Sequence, residues 1–164
     1  MSIKKYFADS DTTITNAAGI KISTRGTGSN MGASDILEVF SIYGQQASSS
    51  AELSRALVKF PVSSIVSDRN SGIIPKSGSV SFFARLYNAE HSSTVPSNSQ
   101  VSILAVSRSW DEGTGLDMED YLDTGISNWV SASSTSAWTS QGGDYHASPS
   151  FTKDLDSGME DIEV

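Results

Sequence analysis

From Val80 to Tyr87 the chain alternates. Val80, Phe82, Ala84 and Leu86 fall on one side of an extended backbone, Ser81, Arg85 and Tyr87 fall on the other, and Phe83 breaks the pattern. A period of two predicts a half-buried antiparallel strand. Residues 101–106, VSILAV, are β-branched and mostly apolar, which predicts a more deeply buried strand running on towards Trp110. ILEVFSIYG predicts another strand, closed by Gly44, and MEDIEV at residues 159–164 a short one.

The segment SSAELSRALVKFP supports two elements. Ser49 and Glu52 have the spacing of a helix capping box, and Leu53, Ala56, Leu57 and Phe60 have helical spacing. Ala56, Val58 and Phe60 also alternate, and Pro61 would end either element. The strand is the favoured reading and the helix competes with it. RNSGIIPKSGS and NAEHSSTVPSNSQ read as turn-rich connectors. From residue 111 to about 158 no period is sustained, and the segment reads as a long irregular excursion. Its aromatics, Trp129, Trp138 and Tyr145, argue for an ordered excursion, because disordered segments are poor in such residues.

Short strands separated by turns predict an all-β fold, and 164 residues predict one domain over 1–164 with enough chain for a core. Only 18% of residues are charged and 37% are hydrophobic, so the remainder is rich in the small polar residues of strand faces and turns. The net charge of −8 argues against a nucleic-acid partner, and no Lys or Arg occurs from Ser109 to Thr152. There is no cysteine, hence no disulfide, thiolate metal site or thiol nucleophile. No apolar run reaches signal-peptide or membrane-spanning length, so neither export by a leader nor a membrane partner is expected.

Candidate chemistry concentrates in VSRSWDEGTGLDMEDYLD. Asp111, Glu112, Asp117 and Asp120 are candidate calcium ligands, since calcium takes six to eight hard oxygens. The spacing is not that of an EF-hand, and the competing reading is a solvated acidic loop with Asp111 or Glu112 accepting backbone hydrogen bonds. Paired carboxylates for glycoside hydrolysis need a separation that sequence does not reveal, and a calcium-dependent hydrolase would place Glu112 at its centre. His91 and His146 lie in Ser-rich connectors without a nucleophile elbow, as exposed loop residues do. Trp110 is expected in the core. Trp129, Trp138 and Tyr145 form either a stacking platform for a sugar or the pins that hold the excursion down, and Tyr43 and Tyr87 are expected to point outward.

The order of the pieces FADSDTTI, SNMGASDILEV, SRALVKFPVSSI, SGSVSFFARLY and VSILAVSRSWDEGTG resembles the DNRLRE-type β-sandwich domain, a relative of carbohydrate-binding modules found in secreted proteins and in phage structural proteins. The family's Asn-aromatic-Gly loop is matched by Asn30, Met31 and Gly32, with the aromatic replaced. Its next strand is matched by Arg55 to Ile65, with Pro61 in place of an acid. Its Trp-x-Glu-Gly signature is complete at Trp110, Glu112 and Gly113. The segment GLDMEDYLDTGISNWVSASSTSAWTSQGGDY looks like the version carried by tailed bacteriophages.

The resemblance implies an antiparallel jelly-roll-like β-sandwich with a Trp-rich excursion, located on a virion. It implies a non-enzymatic structural or adhesion role as a head, neck or tail decoration or fibre. The implied partners are other virion proteins, a homo-oligomer such as a trimer, and host-surface glycans. The alternative it offers is a carbohydrate-binding module of a secreted or cell-surface protein. Family members continue beyond the DIEV strand whereas this chain ends at Val164, so either more chain or a strand donated by a partner is expected to close the sandwich.

Overall fold

The computed structural model describes residues 3–18, 26–43, 51–76, 80–90, 100–117, 126–146, 151–154 and 159–163. In chain order the elements are β1 (Ser10–Thr15), β2 (Ser41–Tyr43), β3 (Ala51–Lys59), α1 (Val62–Asn70), β4 (Phe83–Tyr87), β5 (Gln100–Ile103), β6 (Ser131–Ser133), β7 (Ser136–Ala137), β8 (Phe151–Asp154) and β9 (Met159–Glu163). Regular structure among these residues is nearly all strand, with one short helix, in keeping with an all-β fold. The chain forms two compact units, one of residues 1–61 and 108–144, the other of residues 62–107 and 145–164.

In the first unit β3 is the central strand of a sheet ordered β1-β3-β2, antiparallel throughout. The segment that could have been a helix is therefore the longest strand. Its register places Thr12 opposite Leu57 and Ile14 opposite Arg55. Leu57 and Ile14 enter the core with Trp129, Ala132 and Trp138, and Leu53 and Trp110 pack against that cluster. The alternation of Ala56, Val58 and Phe60 correctly signals a strand, but it lies on the opposite face, where Val58 and Phe60 are exposed. The core takes Leu53 and Leu57, which the same period also aligns.

The excursion is less irregular than its sequence suggests. Within it β6 and β7 form an antiparallel hairpin, and β8 pairs with β5. β6 and β7, built of Ser and Ala, carry no apolar alternation, so the period test passes over them.

The second unit contains α1 and two antiparallel ribbons, β4 with β9 and β5 with β8. The MEDIEV strand is thus present, in register with Phe83 to Tyr87. Val80, Phe82 and Ala84 are half-buried and Ser81, Phe83 and Arg85 exposed, as the period of two requires, but Leu86, expected on the half-buried side, is 39% exposed. Residues 101–106 differ from expectation. Val101 and Ile103 are only half-buried and Val106 is exposed, because a two-stranded ribbon covers little of either face.

Helix α1 follows Pro61, which pre-sets the backbone for a helical start, and Val62, Ile65 and Val66 carry the helical spacing that marks it. None of its residues is buried. At its end the Ser71 N–H bonds the Ser67 carbonyl and the Ile73 N–H the Asp68 carbonyl, and the Arg69 guanidinium lies 5.5 Å from the centre of the Phe82 ring.

Candidate functional site

The polar centre of the first unit is Asn30, which has no solvent exposure. Its two Nδ2 hydrogens are shared among three acceptors, Thr12 Oγ1 at 3.0 Å, the Glu112 carbonyl at 2.8 Å and the Ser127 carbonyl at 2.7 Å. Its Oδ1 accepts from Gly32 N at 2.8 Å and Gly115 N at 3.2 Å. One side chain therefore ties β1, its own loop, the acidic loop and the segment before β6 together. In a buried site a side-chain amide can do this because it offers donors and acceptors at once.

Glycines make room for it. A Cβ on Gly32 would come within 2.2 Å of the Glu112 carbonyl oxygen, and Gly113, at φ 94°, would bring one within 2.1 Å of Asn30 Oδ1. The two short motifs of the sequence, Asn30-Met31-Gly32 and Trp110-x-Glu112-Gly113, are halves of one knot.

Glu112 completes it. Its Oε1 accepts the Asp11 N–H at 2.8 Å, so the carboxylate occupies a position that a neighbouring strand would fill on the edge of β1. Burial, and then the negative charge of Glu112, push the Asp11 carboxyl above its ordinary value. Asp111 and Asp117 are exposed, and Asp120 lies outside the described residues. Among the described residues no three His, Cys, Asp or Glu side chains gather as metal ligands would. The four acids proposed from sequence as a calcium set are thus not brought together as far as they are described.

No family model, curated protein or solved structure matches the chain.

The indoles are core residues. Trp129 and Trp138 are 5% and 6% exposed. The Arg55 guanidinium stands 5.0 Å from the centre of the Trp129 ring and donates to the Gly142 carbonyl at 2.6 Å. Trp138 Nε1 donates to the Asn128 carbonyl at 2.8 Å, while Asn128 Oδ1 accepts from Val130 N and Ser131 N. With their faces covered, neither ring is presented to a sugar, and the pinning role accounts for both. Tyr145 belongs to the second unit, where it bridges to Val106 and is 41% exposed. The three residues therefore do not form a shared platform within either unit. Tyr43 and Tyr87 point outward as expected, His146 is exposed, and His91 lies outside the described residues.

Two polar features were not legible beforehand. Glu52, on β3, is completely buried, with Oε2 accepting from Ala18 N at 3.1 Å and Oε1 without a hydrogen-bond partner among the described residues. Asp144 accepts from Thr139 N and Ser140 N, which hold its carboxyl below the ordinary value, and Arg108 pairs with it at 3.5 Å. An acid in a strand and an acid in a Gly-rich turn give no sequence signal that separates them from the chain's other carboxylates.

Proposed function

We propose that the chain is a non-enzymatic structural or adhesion component of a tailed-phage virion, folded as an antiparallel jelly-roll-like β-sandwich of the DNRLRE type. The observation that carries this reading is the knot at Asn30. The motifs that resemble the family spend their polar groups on one another, with the Asn30 amide satisfied on both sides and the Glu112 carboxylate holding the Asp11 N–H. Residues so committed are architectural, and the protein's work then falls to its outer surface. It acts by shape and hydrogen bonding to other virion proteins, with weak contacts multiplied by copy number. Contact with host glycans is secondary, because Trp129 and Trp138 are buried and do not serve as the aromatic platform such modules use.

The decisive experiment separates particles from soluble protein in a lysate containing the full-length product. Co-purification with intact particles through a density gradient, resistant to high salt, is the expected result. Recovery only in the soluble fraction overturns the reading. A glycan array then separates assembly from sugar recognition. Selective, tight binding to one glycan by the isolated chain would favour the carbohydrate-binding alternative.

A further inference from the structure

Burial is divided unequally between the two units. Every member of the apolar core, Ile14, Leu57, Trp129, Ala132 and Trp138, belongs to the first unit, and so does the buried knot at Asn30. Among the described side chains of the second unit only Ile74 is buried. Helix α1 buries none of its residues, and on β4 Phe83 and Tyr87 stand 60% and 70% exposed.

The regular structure of the second unit is of a kind that water sustains poorly. A helix of nine residues is shorter than an isolated helix needs to be. A two-stranded ribbon is marginal unless a third strand or a helix packs on it, and β4 with β9 and β5 with β8 are separate two-stranded ribbons. The first unit differs in kind. Its strand β3 is paired on both sides, and its two chain segments are tied by Asn30 to the Glu112 carbonyl, by the Asp11 N–H to the Glu112 carboxylate and by Arg55 to the Gly142 carbonyl. None of these bonds uses a residue between 62 and 107. The free energy of opening follows the apolar area that must be exposed, so the two units differ in stability by the content of a core.

We infer that the second unit opens on its own, well below the free energy at which the first unit unfolds, so that the chain is a stable body carrying a conditionally ordered part. A binding partner reshapes the second unit most readily, because a modest binding energy shifts an equilibrium only where the two states lie close. This division of stability goes beyond the virion reading and does not depend on it.

Hydrogen exchange of the full chain, followed by mass spectrometry under native conditions, tests it. Amides of β4 and β5 should exchange at least about 100-fold faster than those of β1 and β3, because opening is limited by the contacts of each unit. Trypsin supplies a paired readout, since Arg55 lies within β3 and Arg85 within β4. Cleavage after Arg85 should come first, and the pieces should elute together as one folded species, because the bonds through Glu112 survive the cut. All three tryptophans, Trp110, Trp129 and Trp138, lie in the first unit, so urea unfolding followed by indole emission reports that unit alone. Ile74→Ala should leave its midpoint unchanged, whereas Leu57→Ala should lower it. Equal protection of β3 and β4 overturns the inference, as does cleavage after Arg55 as fast as after Arg85, or an Ile74→Ala midpoint lowered as far as that of Leu57→Ala. If Leu57→Ala fails to fold, exchange of the wild-type chain decides.

Discussion

Gly113 and Asn30 occupy complementary space: a Cβ on the glycine would lie 2.1 Å from Asn30 Oδ1 and 2.3 Å from Nδ2. The amide fits its four-way position only because residue 113 has no side chain. The acidic loop crosses so close to the Asn30 loop that the backbone of Glu112 becomes an acceptor for the same amide.

Gly113→Ala should therefore destabilise the first unit through both the positive φ and the collision. A penalty of about 2 to 4 kcal/mol is expected, since left-handed backbone strain alone contributes 1 to 2 kcal/mol. The midpoint of urea unfolding, compared with wild type at equal slope, measures it.

Asn30→Asp keeps the shape and the acceptor towards Gly32 and Gly115 but replaces a donor with an oxygen that faces the Glu112 and Ser127 carbonyls. Loss of roughly 3 to 5 kcal/mol at neutral pH is expected, the range for an uncompensated buried charge. Acid should restore part of it by protonating the new carboxyl. Equal destabilisation at both pH values would show that the hydrogen-bond hub is not what the amide supplies.

Asp11 and Asp144 should respond to pH with opposite sign. The Asp11 carboxyl is raised, by burial and by Glu112, so the folded state holds its proton more tightly. Stability contributed by Asp11 is then greatest below the ordinary aspartate range and is lost as pH rises through the raised value. Asp11→Asn should gain up to about 1 kcal/mol at neutral pH and nothing in acid, as expected for a partly exposed charge.

Asp144 is lowered by the Thr139 and Ser140 N–H groups, so its contribution is present above the ordinary aspartate value and lost as pH falls through the lowered one. Asp144→Ala should be less stable than wild type at neutral pH, with the gap closing in acid. Unfolding midpoints measured across the acid range follow both variants.

Trp138→Phe should cost about 1 to 3 kcal/mol, because it leaves the buried Asn128 carbonyl without its indole donor and removes part of the packed ring. In wild type the emission of Trp129 and Trp138 should be blue-shifted and should move to the red on unfolding. Emission already characteristic of water-exposed indole in the folded protein would contradict their place in the core.

Strand identity was legible wherever apolar residues alternate. β3 and β4 show their period locally, because adjacent side chains of an extended backbone must point to opposite sides. Helix α1 was legible in principle, from Pro61 and the spacing of Val62, Ile65 and Val66, but the resemblance of residues 55–65 to a strand masked it. The β6–β7 hairpin was not legible, since its small polar residues carry no pattern.

The sequence by itself determined the all-β character, the position of β3, and the presence of an Asn-x-Gly and a Trp-x-Glu-Gly motif. Only the tertiary structure decided that Leu57 rather than Val58 faces the core, that Trp129 and Trp138 are covered, and that Glu112 binds the Asp11 N–H. The reason is one of range. An extended or helical backbone is chosen by neighbours along the chain, whereas burial and hydrogen-bond partners are set by residues far away in sequence, and a carboxylate or an indole looks the same in sequence whether it meets water, a ligand or the backbone of another strand.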